Sequence, residues 1–263
     1  MKSRGIIIAL LIIISVIVFS LVIFLIGVLN GRVNMGFLNF GMRKSDTIIF
    51  DKEYKLEDIN KIEVLSAAGD VTFKESEDGE IRVVAYGKED NKLEVELKDK
   101  KLKVDYSKTN NKWISFNRYS NDIVIYIPSK YAGEIRVKND YGECKICDLE
   151  NAKMDLEVNC GNIEIGKVKN LEARCDLGNV KVDNILNKCN IEVDCGDVKI
   201  EELQIQENSS IKCDLGSVKI KKINDIYVDA NVDLGSTKLG KNNRQSEITL
   251  KVEVDCGDLK IEE

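Results

Sequence analysis

Apolar and polar residues alternate through most of this chain, and toward its end the alternation recurs as a unit. Seven glycines mark the copies, Gly142, Gly161, Gly178, Gly196, Gly216, Gly235 and Gly257, spaced by 19, 17, 18, 20, 19 and 22 residues. Seven, five, three and one residues before the glycine stand Met154, Leu156, Val158 and Cys160 in one copy, and Leu171, Ala173, Cys175 and Leu177 in the next. Later copies give Cys189, Ile191, Val193 and Cys195, then Val228, Ala230, Val232 and Leu234, then Leu250, Val252, Val254 and Cys256. Strict period two predicts a strand with one buried face, which would include the residue next to the glycine. Past the glycine the apolar set shifts phase by one, to Ile163 and Ile165 or Val198 and Ile200, and a further apolar anchor follows seven residues on (Leu149, Val168, Ile185, Leu203, Ile223). The glycine therefore sits at a corner that a residue without Cβ can turn. Units of about twenty residues cannot bury a face alone and must stack. The pattern predicts an all-β, single-stranded β-solenoid, a right-handed parallel β-helix, over residues 129–263.

The outward positions form columns of their own. Two before each glycine stand Asp140, Asn159, Asp176, Asp194, Asp214, Asp233 and Asp255; three after it stand Lys145, Glu164, Lys181, Lys199, Lys219, Lys238 and Lys260. Rungs stack at about 4.8 Å, so a column of acids repels itself unless its members cap a turn, pair with lysines or hold a cation. Asp and Asn accept hydrogen bonds from backbone two residues on, which suits a turn ladder before a corner. A cation ladder is the alternative, but the repeat lacks the Gly-Gly-x-Gly-x-Asp pattern of calcium-binding rolls.

Residues 46–128 keep the strands and blur the repeat. Ile62, Val64, Ser66, Ala68, Val71 and Phe73 fit the inward register around Gly69, and residues 93–106 read as a hairpin turning at 98–101. This stretch, with the single Trp113 and the single Pro128, reads as a degenerate N-terminal cap. At the other end Ile261 completes the last rung, which makes that C-terminal rung a candidate edge for self-association.

Ahead of the strands, residues 1–4 precede an uncharged run over 5–29, enough for a helix of about 37 Å across a hydrocarbon core of about 30 Å. The run has no small-x-small cleavage site, so it reads as a retained single-pass anchor. Lys2 and Arg4 face Arg32 alone on the far side, which places the N-terminus in the cytoplasm and the C-terminal domain outside. Residues 30–45, with Phe37, Leu38 and Phe40, read as a juxtamembrane linker. Residues 1–44 carry five bases and no acid, which leaves 34 bases against 45 acids beyond them. An acidic ectodomain without a basic stripe excludes nucleic acid as the expected partner.

Of eight cysteines, seven (Cys144, Cys160, Cys175, Cys189, Cys195, Cys213, Cys256) fall on the expected inward positions and read as buried free thiols, with Cys147 the outward one. The chain has no histidine, so neither a Cys/His zinc set nor a His-based triad can form, and Cys144-Lys-Ile-Cys147 stands without a second pair. No phosphate-binding glycine loop or nucleophile elbow is present. The expectation is a protein that is not an enzyme, with no cofactor and no metal. Outer-face carboxylates follow the repeat, whereas active-site acids should break it; a carbohydrate-active enzyme is the weaker alternative.

The unit Ile191-Glu-Val-Asp-Cys-Gly-Asp-Val-Lys-Ile200, the strand Ile123–Ile127 before Pro128 and the N-terminal apolar run resemble a bacterial cell-envelope family of β-strand-repeat domains labelled "putative adhesin", members of which occur beside envelope-stress regulators. The likeness spans residues 48–263. It implies an extracellular, membrane-held module that acts through its surface, with a regulatory subunit of an envelope-stress sensing system as the alternative. The family's rungs place Ser, Thr or Gly before the glycine, where this chain has Asp-Cys or Asp-Leu, so no functional residue carries over.

Overall fold

A computed structural model of the protein describes residues 43–87, 92–108, 119–240 and 242–262. The chain divides into two units, residues 1–43 with 112–119, and residues 44–111 with 120–263. The first lies almost wholly outside the described residues, as do the expected transmembrane helix, most of the linker and Trp113. Among the described residues no helix is long and apolar enough to cross a membrane.

The second unit is all-β and built from stacked parallel rungs. Each rung has a first arm that ends at a glycine and a second arm that leaves it. The first arms pair in register, with Val137 beside Leu156, then Ala173, Ile191, Ile211, Val252 and Ala230. The second arms follow suit, from Ile146 through Ile165, Val182, Ile200, Ile220 and Ile261 to Leu239. Strands Ile163–Leu177 and Val180–Cys195 are long because each carries one rung's second arm, the return and the next rung's first arm without a break. The return column runs Leu149, Val168, Ile185, Leu203, Ile223. These inward columns enclose one continuous core; each fully buried aliphatic side chain contributes about 1.5–3 kcal/mol.

The stack does not follow chain order at its end. The rung of Gly257, last in sequence, is inserted between those of Gly216 and Gly235: strand Thr249–Cys256 pairs with Ser209–Leu215 on one side and Tyr227–Leu234 on the other. The expectation that Ile261 closes the stack as an exposed edge is therefore corrected. The outward charges agree with this order. Four residues before the glycine the column reads Lys138, Glu157, Arg174, Glu192, Lys212 and Glu253 in space, alternating in sign along the paired ladder before it ends at the neutral Asn231. Chain order would set Asn231 against Lys212 and break the alternation.

A matching displacement occurs at the other end. Lys61–Ser66 and Val71–Glu75 form a regular rung that pairs directly with Glu134–Tyr141 and Cys144–Ile146, while the later strands Lys101–Tyr106 and Ile123–Ile127 lie one layer further out. Antiparallel strands finish the cap. Glu94–Lys98 folds back on Lys101–Tyr106 through Asp99 and Lys100, both at positive φ (50° and 61°), the geometry of a type I′ hairpin turn. Ile81–Tyr86 pairs with Ile123–Ile127 and with Ile48–Tyr54.

Candidate interaction face

The corner glycines are fixed by a close approach. All seven, and Gly69, hold φ between 135° and 156°. A Cβ at Gly178 would strike the carbonyl oxygen of Gly161, and the same clash recurs from Gly142 on Gly69 to Gly235 on Gly257. Only glycine satisfies both demands. Its N–H then donates to the carbonyl of the pre-glycine residue one rung on, as from Gly161 to Leu177 (3.0 Å), Gly178 to Cys195 (3.0 Å) and Gly216 to Cys256 (3.0 Å).

That corner turns the pre-glycine side chain outward. The burial pattern of Ile163–Leu177 is inward at Leu171, Ala173 and Cys175, then open at Leu177. In stacking order the column reads Tyr141, Cys160, Leu177, Cys195, Leu215, Cys256, Leu234, each opposite the next. Its large members are 51 % (Tyr141), 54 % (Leu177), 55 % (Leu215) and 70 % (Leu234) exposed. Cys195 and Cys256 are exposed and Cys160 is partly so. The inward assignment of these positions is thus corrected, and with it that of Cys160, Cys195 and Cys256. Cys147, expected outward, packs against the core instead. Period two holds along an arm and fails where the arm ends at a positive-φ residue.

The thiols that are inward are protected. Burial pushes Cys144, Cys175 and Cys189 up to about 12, and Cys147 and Cys213 to about 11. At neutral pH they stay protonated, which disfavours nucleophilic or metal-binding roles. Among the described residues no group of three Cys, Asp or Glu side chains could hold a metal ion.

Two polar columns flank the apolar ridge. Two residues before the glycine lies the acidic column expected to cap the turns. Its bonds in this structure are to side chains: Asn159 Nδ2 donates to Asp140 (3.1 Å), Lys212 to Asp214 (2.7 Å) and Asn231 to Asp233 (3.2 Å). Turn capping belongs to the residue after the glycine. Asn162 Oδ1 accepts from the Asn179 N–H (3.0 Å), Asn179 from Asp197 (2.9 Å), Asp197 from Ser217 (2.8 Å), Ser217 Oγ from Asp258 (3.3 Å) and Asp258 from Ser236 (2.8 Å). Each side chain caps the next rung in space, again with Asp258 placed between Ser217 and Ser236. On the second arm Lys181, Lys199, Lys219, Lys260 and Lys238 stack directly on one another. Acids of a neighbouring column offset them, as where Glu201 bridges Lys199 (2.8 Å) and Lys221 (2.5 Å), whose hydrogen bonds hold its carboxyl down at about 2.

The first arm's outward face also carries a shallow groove of about 520 Å³, lined among others by Glu172, Arg174, Asn190, Glu192, Ser210 and Lys212. Its charges are spent on one another across rungs, as in Arg174 with Glu192 (3.9 Å). The apolar ridge, by contrast, has no covering element among the described residues.

A stack of glycine-cornered parallel rungs, with a rung out of chain order near each end, defines a β-strand-repeat domain. Residues 59–262 match the Toastrack DUF4097 family model, and the chain belongs to that family. No curated protein matches it. Among solved structures it is similar to a "putative adhesin" from Bacteroides fragilis, with 19 % identity over 84 % of this chain and 100 % of that one and a TM-score of 0.48. It is also similar to a "putative cell adhesion protein" from Clostridium sporogenes (15 % identity, 81 % and 97 % covered, TM-score 0.37). A third is a "putative lipid binding protein" from Parabacteroides distasonis (15 % identity, 84 % and 100 % covered, TM-score 0.37).

Proposed function

We propose that this chain is an interaction module of the cell envelope, adhesin-like in action: an extracytoplasmic β-solenoid held to the membrane by residues 5–29, working through its surface and not by catalysis. The single observation that carries the reading is the exposed column from Tyr141 to Leu234. Four large apolar side chains more than half exposed, aligned by the rung repeat, are an unusual feature on a soluble surface and mark a contact face. The 25-residue apolar run and the bias of positive charge before it support the membrane placement. The lack of histidine and the protonated inward thiols support a non-enzymatic role.

The test uses Cys195 and Cys256 as reporters in intact cells making the full chain. A membrane-impermeant maleimide labels them without permeabilisation if the domain lies outside. Labelling only after permeabilisation would overturn the placement. Deleting residues 5–29 should move the chain from the membrane to the soluble fraction.

A further inference from the structure

We propose that the apolar ridge receives an amphipathic helix of a partner protein, one whose apolar seam is flanked by lysine and arginine. The inference deepens the envelope-module reading and rests on it for the biological setting only.

Spacing points to a helix. Tyr141, Leu177, Leu215 and Leu234 occupy every second rung, so the knobs recur at about 9.6 Å, twice the strand spacing of about 4.8 Å. The positions between them hold Cys160, Cys195 and Cys256, whose small side chains leave notches. Seven residues of α-helix rise about 10.5 Å, within about a tenth of the notch spacing, so a helix lying along the ridge brings one apolar side chain to each of the three notches with a slip of about 1 Å per heptad. An extended strand repeats its face at about 6.8 Å and matches neither one rung nor two.

Charge selects the helix's flanks. The ridge lies between six aspartates and Asn159 on one side and, on the other, Glu143, Asp197 and Asp258 interspersed with Asn and Ser. Three of these acids, Glu143, Asp176 and Asp214, already pair with Lys145, Arg174 and Lys212 of the neighbouring columns, and the acids remain in excess. No lysine or arginine occupies these two flanking columns. A basic flank is complementary, and a second copy of this chain would set acid against acid. Anionic lipid is disfavoured for the same reason.

The experiment uses the full chain in nanodiscs of neutral lipid and a labelled 21-residue synthetic helix with leucine at heptad a and d positions and lysine at e and g. Binding should weaken at least tenfold in Leu177→Ser/Leu215→Ser, which leaves every charge in place. It should also weaken at least tenfold when the e and g lysines of the peptide are replaced by glutamate. Bound peptide should slow alkylation of Cys195 and Cys256 by iodoacetamide at least fivefold. Equal binding by the serine variant, equal binding of the glutamate peptide, or unslowed alkylation would each overturn the proposal. So would a dimer of the full chain that the serine variant dissolves, or ridge-dependent recruitment to phosphatidylglycerol vesicles. Failure here with surface labelling intact sinks the helix alone; internal labelling with intact peptide binding sinks the envelope placement alone.

Discussion

At Gly178 two requirements meet, a φ of 151° and a carbonyl directly where Cβ would go. Gly178→Ala should therefore cost more than about 2 kcal/mol, as backbone strain and overpacking act together; urea unfolding measures it. Leu215→Ser, one residue before a corner of the same kind and 55 % exposed, should cost less than about 0.5 kcal/mol. The two substitutions separate what the period reveals from what it hides. Glycine spacing alone located every corner, because few other residues tolerate that geometry. The direction of the pre-glycine side chain was not legible, since an alternating pattern continues formally through Leu177 or Cys195 while the backbone has already turned. Cysteine made it harder, being as ordinary in a core as on a ridge. The capping residues Asn162, Asn179, Asp197 and Asp258 left a signal in their repeated Asn and Asp after the glycine, which the neighbouring acid column masked.

Acid sensitivity is also set by single residues. Asp105 is buried, and burial by itself would raise its pKa, yet the Ser107 hydroxyl and amide and the Lys103 ammonium (2.9 Å) hold it at about 2. Its folded pKa lies below the ordinary 3.8, so the stability it contributes is present above about pH 4 and is lost as pH falls toward 2. Asp105→Asn should flatten the loss of stability across that window, as read by denaturant midpoints at stepped pH.

Among the elements, the inserted rung is the one whose position chain order conceals. The evidence for it was present in sequence as a charge column that alternates only when Glu253 follows Lys212, but reading rungs in succession places Asn231 there. Long-range pairing of this kind is decided by which column registers best, a competition that no local pattern announces. A cysteine at 215 in a Cys195→Ala background distinguishes the arrangements. Leu215→Cys should form a disulfide with Cys256 on mild oxidation, since directly paired residues lie within bridging distance. In an unswapped stack it would face Leu234 and remain free; peptide mapping without reductant reads the difference.

For the molecule as a whole, like charges stacked rung upon rung are the main electrostatic strain. The acidic column and the excess of acids over bases beyond residue 44 repel within the folded state. Raising salt from 0.05 to 0.5 M should therefore raise Tm. Asp194→Asn, between Asp176 and Asp214 in the stack, should be neutral or stabilising by a few tenths of a kcal/mol. The opposite sign would show that attraction to neighbouring bases such as Arg174 outweighs repulsion within the column.

The inserted rung also sets up a competition while the chain folds. The Gly235 rung lies 19 residues beyond Gly216 and the Gly257 rung 41 residues beyond it, so the shorter loop closes at the smaller entropic cost. The Gly216 rung therefore offers its open ladder first to the nearer neighbour, in a pairing that must be undone before the Gly257 rung can enter. Refolding of the full chain should show a slow phase that a chain ending at residue 240, with no final rung to insert, lacks.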